Sequence, residues 1–153
     1  MNAFTELLAY FKQLGEDDVF INTITKGDWD KLDLNKKNIF PLLHILIGNA
    51  SFPSDGIIRF DVQIGAFDIR DLNKEIETDK FWNQDNEVDN LNETMAVLNR
   101  IWLLMLKDFE ENNITASENP SLEQFTEAKK NVLDGWIMTF QVDVPNTIIS
   151  LCQ

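Results

Sequence analysis

The sequence predicts an α+β fold with a mainly antiparallel sheet, a long β-hairpin, one long helix across the sheet and a helix at the N-terminus. Three observations carry that expectation. Residues 86–110 hold apolar side chains at alternating steps of three and four, the mark of a long amphipathic helix. Residues 39–70 read as two apolar strands around a turn. Residues 134–144 alternate with period two. Few helices and locally connected strands indicate antiparallel pairing rather than a wound α/β fold.

Phe4, Leu7, Leu8, Phe11 and Leu14 share one face of the first helix, which Gly15 is expected to end. Asp18–Thr25 alternates and predicts a short strand. Gly27–Asn38 is a polar connector carrying Trp29, Leu32 and Leu34. Ile39–Ile47 is apolar on both faces, as in a strand covered on two sides. Asn49–Gly56, with Pro53 and Asp55-Gly56, predicts a turn. Ile58, Phe60, Val62 and Ile64 then alternate with polar residues. At Phe67 and Ile69 the parity reverses, so a bulge is expected at Gly65-Ala66.

An acid-rich connector, Asn73–Asp89, leads into the long helix. There Leu91, Met95, Leu98, Trp102, Met105 and Phe109 define the sheet-facing stripe. Val97, Ile101 and Leu104 widen it on one flank and Leu106 on the other. At about 37 Å the helix outruns the width of a four- or five-stranded sheet, so a flank should reach a neighbour. Val97, Ile101 and Leu104 are therefore candidate oligomer-interface residues. Trp29, Phe81 and Trp82 join them: aromatics in polar connectors either clip a loop onto the body or anchor in a partner's pocket. After the helix, Asn112–Glu127 is polar and acidic, with Leu122 and Phe125 assignable to a short strand. In the last strand Trp136, Met138, Phe140, Val142 and Val144 face one way; Ile137 alone breaks the pattern. Pro145-Asn146 stops it, and residues 147–153 form a tail. No internal linker divides the 153 residues, so a single domain is expected.

Chemistry is sparse. His44 is the only imidazole and sits in an apolar run, where a structural or interface role outweighs catalysis. No ligand spacing surrounds it, so no metal is expected. The single cysteine, Cys152, cannot form an intrachain disulfide and suits a reducing compartment. Asp85, Glu87 and Asp89 lack the glycine and in-register glutamate of a calcium loop. No glycine-rich phosphate loop is present, and no cofactor is expected. The start of the chain lacks a signal-peptide pattern, and the longest apolar run is too short to span a bilayer, so a soluble intracellular protein without a membrane partner is expected.

The formal net charge is −13. From Asp108 to Glu127 there are acids and no Lys or Arg. Such a surface repels phosphate and disfavours tight nucleic-acid binding. It serves solubility, lies close to DNA without gripping it, or docks onto a basic partner.

Several local patterns together resemble a known family: Ile39-Phe40-Pro41-Leu42 followed by His44-Ile45; Phe67-Asp68-Ile69-Arg70-Asp71; Asn86-Glu87, Leu91-Asn92, Thr94, Ala96-Val97 and Asn99-Arg100; and Phe125-Thr126-Glu127, Gly135-Trp136 and Phe140 with Asp143-Val144-Pro145-Asn146. Over Ile39–Asn146 the chain resembles small neck and tail ring proteins of crAss-like and related short-tailed bacteriophages, which look like tail-terminator or tail-completion proteins. The resemblance implies a virion structural subunit, assembled in the host bacterial cytoplasm. It would form a six- or twelve-fold ring with itself, contact the portal and neighbouring ring proteins, and surround passing DNA without binding it specifically. Asp108, Glu110, Glu111, Glu118 and Glu123 are then the candidate channel-facing residues. The competing expectation is a small acidic adaptor or inhibitor that neutralises a basic partner.

Overall fold

The computed structural model describes residues 3–29, 40–70, 81, 86–112, 114–117, 119–128 and 132–145. In chain order these form α1 (Ala3–Glu16), β1 (Thr23–Lys26), β2 (Leu42–Ser54), β3 (Ile57–Ile69), α2 (Glu87–Glu111), β4 (Thr115–Ala116), β5 (Ser121–Ala128) and β6 (Val132–Pro145). The strands make one six-stranded sheet in the order β1-β2-β3-β6-β4, and β5 pairs with β6 beside β4. Every pairing is antiparallel except β1 with β2, which is parallel. The α+β class, the mainly antiparallel sheet and the helix packed across it are as the sequence predicts.

Strand alternation divides the sheet into two unlike faces. Ile58, Phe60, Val62, Ile64 and Ala66 of β3, and Met138, Phe140, Val142 and Val144 of β6, point to the side that α1 and α2 cover. Leu7, Phe11 and Leu14 of α1 and Val97, Leu98, Ile101, Met105 and Phe109 of α2 complete that core. Gly15 does not end α1. It is buried one residue inside the helix, where a Cβ would lie 2.8 Å from side-chain atoms of Ile24 and Leu43. The glycine lets the helix approach the sheet closely, rather than stopping it.

The opposite face carries a second, smaller cluster of Phe40, Leu42, Phe67 and Leu133, with Trp29, Ile69, Phe125 and Ile137 packed against it. This cluster explains the parity change in β3 and removes the expected bulge. The pairing of β3 runs without a break through Gly65 and Ala66 on both sides. Phe67 faces away from the helices because a separate apolar site receives it. Its ring folds back over Gly65, where a Cβ would lie 2.5 Å from Phe67 Cζ. Ile137, the exception in β6, belongs to the same cluster.

The expected turn over Asn49–Gly56 is also shorter than predicted. β2 continues to Ser54, and only Asp55 and Gly56 turn the chain, with Gly56 at φ 81°. The row Ile57–Asp61 offers partners to Ser54, Ser51, Ala50 and Asn49, and this pairing overrides their turn preference. Register shifts at Ile47/Asn49 and Ser51/Ser54 absorb Gly48 and Pro53.

The start of α2 is pinned to the sheet by polar contacts. Arg70 donates to Asp134 through Nε at 2.9 Å and Nη2 at 2.5 Å, and its Nη2 lies 3.2 Å from Glu87. Asn90 Nδ2 donates to the Ile69 carbonyl at 3.0 Å, and Thr94 Oγ1 to the Asn90 carbonyl at 2.6 Å. Trp136 Nε1 donates to the Leu91 carbonyl at 2.9 Å. Further along, Arg100 makes a two-pronged contact with Asp18, at 2.9 and 3.0 Å.

Candidate interaction surfaces

His44 is fully buried and has a purely structural set of partners. Its Nε2 lies 2.7 Å from the Gly27 carbonyl, which can only accept, so Nε2 carries the proton and Nδ1 accepts from Thr25 Oγ1 at 2.7 Å. Burial lowers its pKa, partly opposed by the bond to Gly27. The ring stacks on Trp29 with centroids 4.5 Å apart. Trp29 in turn donates from Nε1 to Gln63 Oε1 at 3.0 Å and lies edge-on to Phe67 at 6.0 Å. Trp29 thus clips its segment over the second cluster, one of the two roles that the sequence offers it. Among the described residues no three His, Cys, Asp or Glu side chains converge as metal ligands, and no described helix is long and apolar enough to cross a membrane.

The helix stripe is also re-centred. Val97 and Ile101, expected at an interface, are 0% and 1% exposed in the core. The reason is the polar pair Asn90 and Thr94. Both are buried because the Ile69 carbonyl and the helix backbone satisfy their hydrogen bonds, and they extend the sheet-facing arc to a side that apolar spacing alone assigns to solvent. Leu104 stays exposed at 48%, beside Leu103 at 58%. On the other flank Met95 and Leu106, 37% and 40% exposed, border Trp102, whose ring meets Phe140 edge-on at 5.3 Å. Phe81 is exposed. Trp82, Glu118, the Leu32 and Leu34 clips and the tail 147–153 lie outside the described residues.

Two surfaces that sequence reasoning missed flank the sheet. The first is a groove of about 410 Å³ between α2 and β5, lined by Asn92, Met95, Ala96, Leu98, Asn99, Trp102, Pro120, Leu122 and Met138. No described lining residue is charged. Leu122 stands over Met138, its partner on β6, and is itself 43% exposed. The second is the outer arm of β2, Gly48–Ser54, seven exposed residues without a charge. Among the described residues β1 covers only Leu42–Ile45 of this strand, so the arm is a sheet edge. Phe52, 72% exposed, projects from it. Near the tip of the hairpin Arg59, opposite Ser51 of the arm, grips Asp143 of β6 through two bonds, 2.8 and 3.0 Å. The signal for the arm is visible in the sequence as an uncharged run in a strongly acidic chain.

The described acids do not gather on one face. Asp108 accepts a 2.6 Å hydrogen bond from the Tyr10 hydroxyl. Burial, then that bond and the charge of Asp108, push the Tyr10 hydroxyl far above the ordinary phenol range. Glu110 and Glu111 are exposed at the end of α2. Glu123 is exposed as well, but alternation in β5 puts it with Phe125 on the face opposite α2. Of the channel-facing candidates that are described, Asp108, Glu110 and Glu111 therefore lie at the end of α2 and Glu123 on the face opposite α2, two separate acidic positions. Among the described residues the outer half of that opposite face forms a shallow depression of about 640 Å³ around Asp61, Gln63, Thr139 and Gln141, held by a 2.8 Å bond from Gln141 Nε2 to Asp61. It presents no paired nucleophile and base.

Comparison of the chain with protein-family models and with curated proteins finds no match.

Proposed function

We propose that this protein is a non-catalytic structural subunit of a bacteriophage head–tail neck or tail ring, repeating six- or twelve-fold around the DNA channel between the portal and tail components of the virion. One observation carries the reading. The isolated chain leaves Phe52, Met95, Leu103, Leu104, Leu106 and Leu122 exposed, more large apolar side chains at its sheet edges and outer helix than a solitary acidic protein needs. The family resemblance over Ile39–Asn146 supplies the kind of assembly, and the net charge of −13 suits a wall along which DNA passes without being held. A density map of the particle, focused below the portal, tests this: a ring into which the β2–β3 hairpin and α2 fit is the expected result, and its absence from every neck and tail ring refutes it.

A second reading, an acidic adaptor or inhibitor for a basic partner, draws support from exposed Glu110 and Glu111 at the end of α2. It requires a monomer that forms a salt-sensitive complex of fixed stoichiometry with a basic protein.

A further inference from the structure

We propose that the groove between α2 and β5 of one copy receives the Gly48–Ser54 arm of the next, with Phe52 as the anchor. This inference rests on the ring reading and specifies its contact.

The first argument is charge. Copies carrying −13 each repel one another, so self-association must occur where acids are absent. The arm carries no charged residue, and neither does the groove lining among the described residues. A basic partner would find no acid in the groove and would be drawn to the end of α2 instead. The second argument is topology. The arm belongs to β2, on one side of β3, while the groove lies against β5 beyond β6 on the other side. The two surfaces occupy opposite edges of one sheet, so a single copy cannot satisfy both. An arm-to-groove contact is therefore head-to-tail, and repetition closes a ring or extends a filament. The third argument is shape and chemistry. Phe52 is an exposed aromatic on a strand paired with β3, where Arg59, opposite Ser51, is fixed to Asp143, so little order is lost on docking. Trp102 and Met95 in the groove supply the aromatic and thioether surfaces that suit a phenylalanine ring.

The test uses the full chain with Cys152→Ser as background. Phe52→Cys and Leu122→Cys proteins are oxidised separately and as an equal mixture. Head-to-tail docking gives linked dimers in the mixture at about tenfold or more the yield of either protein alone. Equal yields overturn the proposal. In parallel, sedimentation of the unaltered chain up to about 1 mM is compared with Phe52→Ser, a surface change whose fold is checked by circular dichroism. Self-association weakened about 30-fold by Phe52→Ser is expected for an anchor residue. Oligomers that Phe52→Ser leaves unchanged overturn the arm contact while leaving the ring reading intact. A chain that stays monomeric at the highest concentration overturns the docking, including the case where the groove takes an unrelated apolar peptide; the map of the particle then judges the ring reading separately.

Discussion

Ile101 and Leu104 are three residues apart on α2 and both apolar, yet Ile101→Asp and Leu104→Asp should behave as opposites. Ile101 is 1% exposed and packs in the main core. Removing its side chain alone, as in Ile101→Ala, should cost about 2–5 kcal/mol. The aspartate adds a carboxylate with no partner there, a penalty of several kcal/mol more per buried ion. The sum reaches the whole stability of a typical domain, about 5–15 kcal/mol, so Ile101→Asp should be largely unfolded at room temperature. Leu104 is 48% exposed. Full burial of a leucine contributes about 1.5–3 kcal/mol, so losing the covered half should cost about 1 kcal/mol and leave the fold intact. Urea unfolding followed by far-ultraviolet circular dichroism and by tryptophan fluorescence, with Trp102 adjacent, reads both variants at equal concentration. A wild-type midpoint for Ile101→Asp, or unfolding of Leu104→Asp, would refute the assigned rotation of α2. On the proposed ring function, a folded Leu104→Asp protein that fails to enter the particle would mark Leu104 as a contact.

The same substitution should have opposite signs at two glycines. At Gly135 a Cβ would overlap the Ala66 carbonyl oxygen and sit 2.7 Å from Phe67 Cδ1, so Gly135→Ala should cost about 1–3 kcal/mol or more by thermal melting. At Gly48 nothing lies within 4 Å, and Gly48→Ala should be neutral or stabilising by about 0.4–1 kcal/mol. His44 has its folded pKa lowered below 6.5 by burial. The unfolded chain therefore binds that proton first, and the contribution, whole above pH 6.5, should fade as pH drops from 6.5 through the lowered value; His44→Gln should flatten this limb of a stability–pH profile. Asp68 is shifted the other way, raised above 3.8 chiefly by burial and further by Glu93 and Asp134, against a lowering bond from the Ile69 amide. Its contribution is favourable below pH 3.8 and lost as pH rises through the raised value, so Asp68→Asn should stabilise at pH 7 and lose that advantage in acid. Glu110→Lys with Glu111→Lys should raise the urea midpoint by an amount equivalent to about 1 kcal/mol at low salt, and the gain should shrink as salt is added.

Elements with a strong local period were legible in the sequence: the helix expected over 86–110 spans Glu87–Glu111, and the strand expected over 134–144 spans Val132–Pro145. Four other features depend on contacts distant in sequence. The phase of α2 follows from Asn90 and Thr94, which are buried because Ile69 and the helix itself satisfy them. The parity change at Phe67 reflects a second cluster assembled from β2, β3, β5 and β6, and a single strand cannot show that its other face has company. Turn-rich Asn49–Ser54 is held as strand by β3. The polar β5 is recruited by the free edge of β6. Of the candidate interface residues, only Leu104 and Phe81 are described as exposed. Val97 and Ile101 were misplaced because an apolar residue on a helix flank looks the same in sequence whether it is covered by its own chain or by another.

The ends of α2 separate two explanations of the acidic balance. Glu87 and Asp89 lie in the first turn, where the helix dipole favours them. In the last turn no basic residue is present, and Asp108, Glu110 and Glu111 face the unfavourable end of that dipole. Asp108 has a local compensation in the Tyr10 hydroxyl. Glu110 and Glu111 have no ion pair among the described residues. Solubility depends on the amount of charge and very little on its position, so solubility alone gives no reason to hold two carboxylates where each costs a few tenths of a kcal/mol. Under the two proposed functions, that placement serves a charge that faces something beyond the protein's own fold. A polyanion to be kept at a distance and a basic surface to be met are the two partners that fit. Those partners respond in opposite ways: with Glu110→Lys and Glu111→Lys, a channel wall would begin to retain duplex DNA at low salt, whereas a docking surface would lose its basic partner and gain no affinity for DNA.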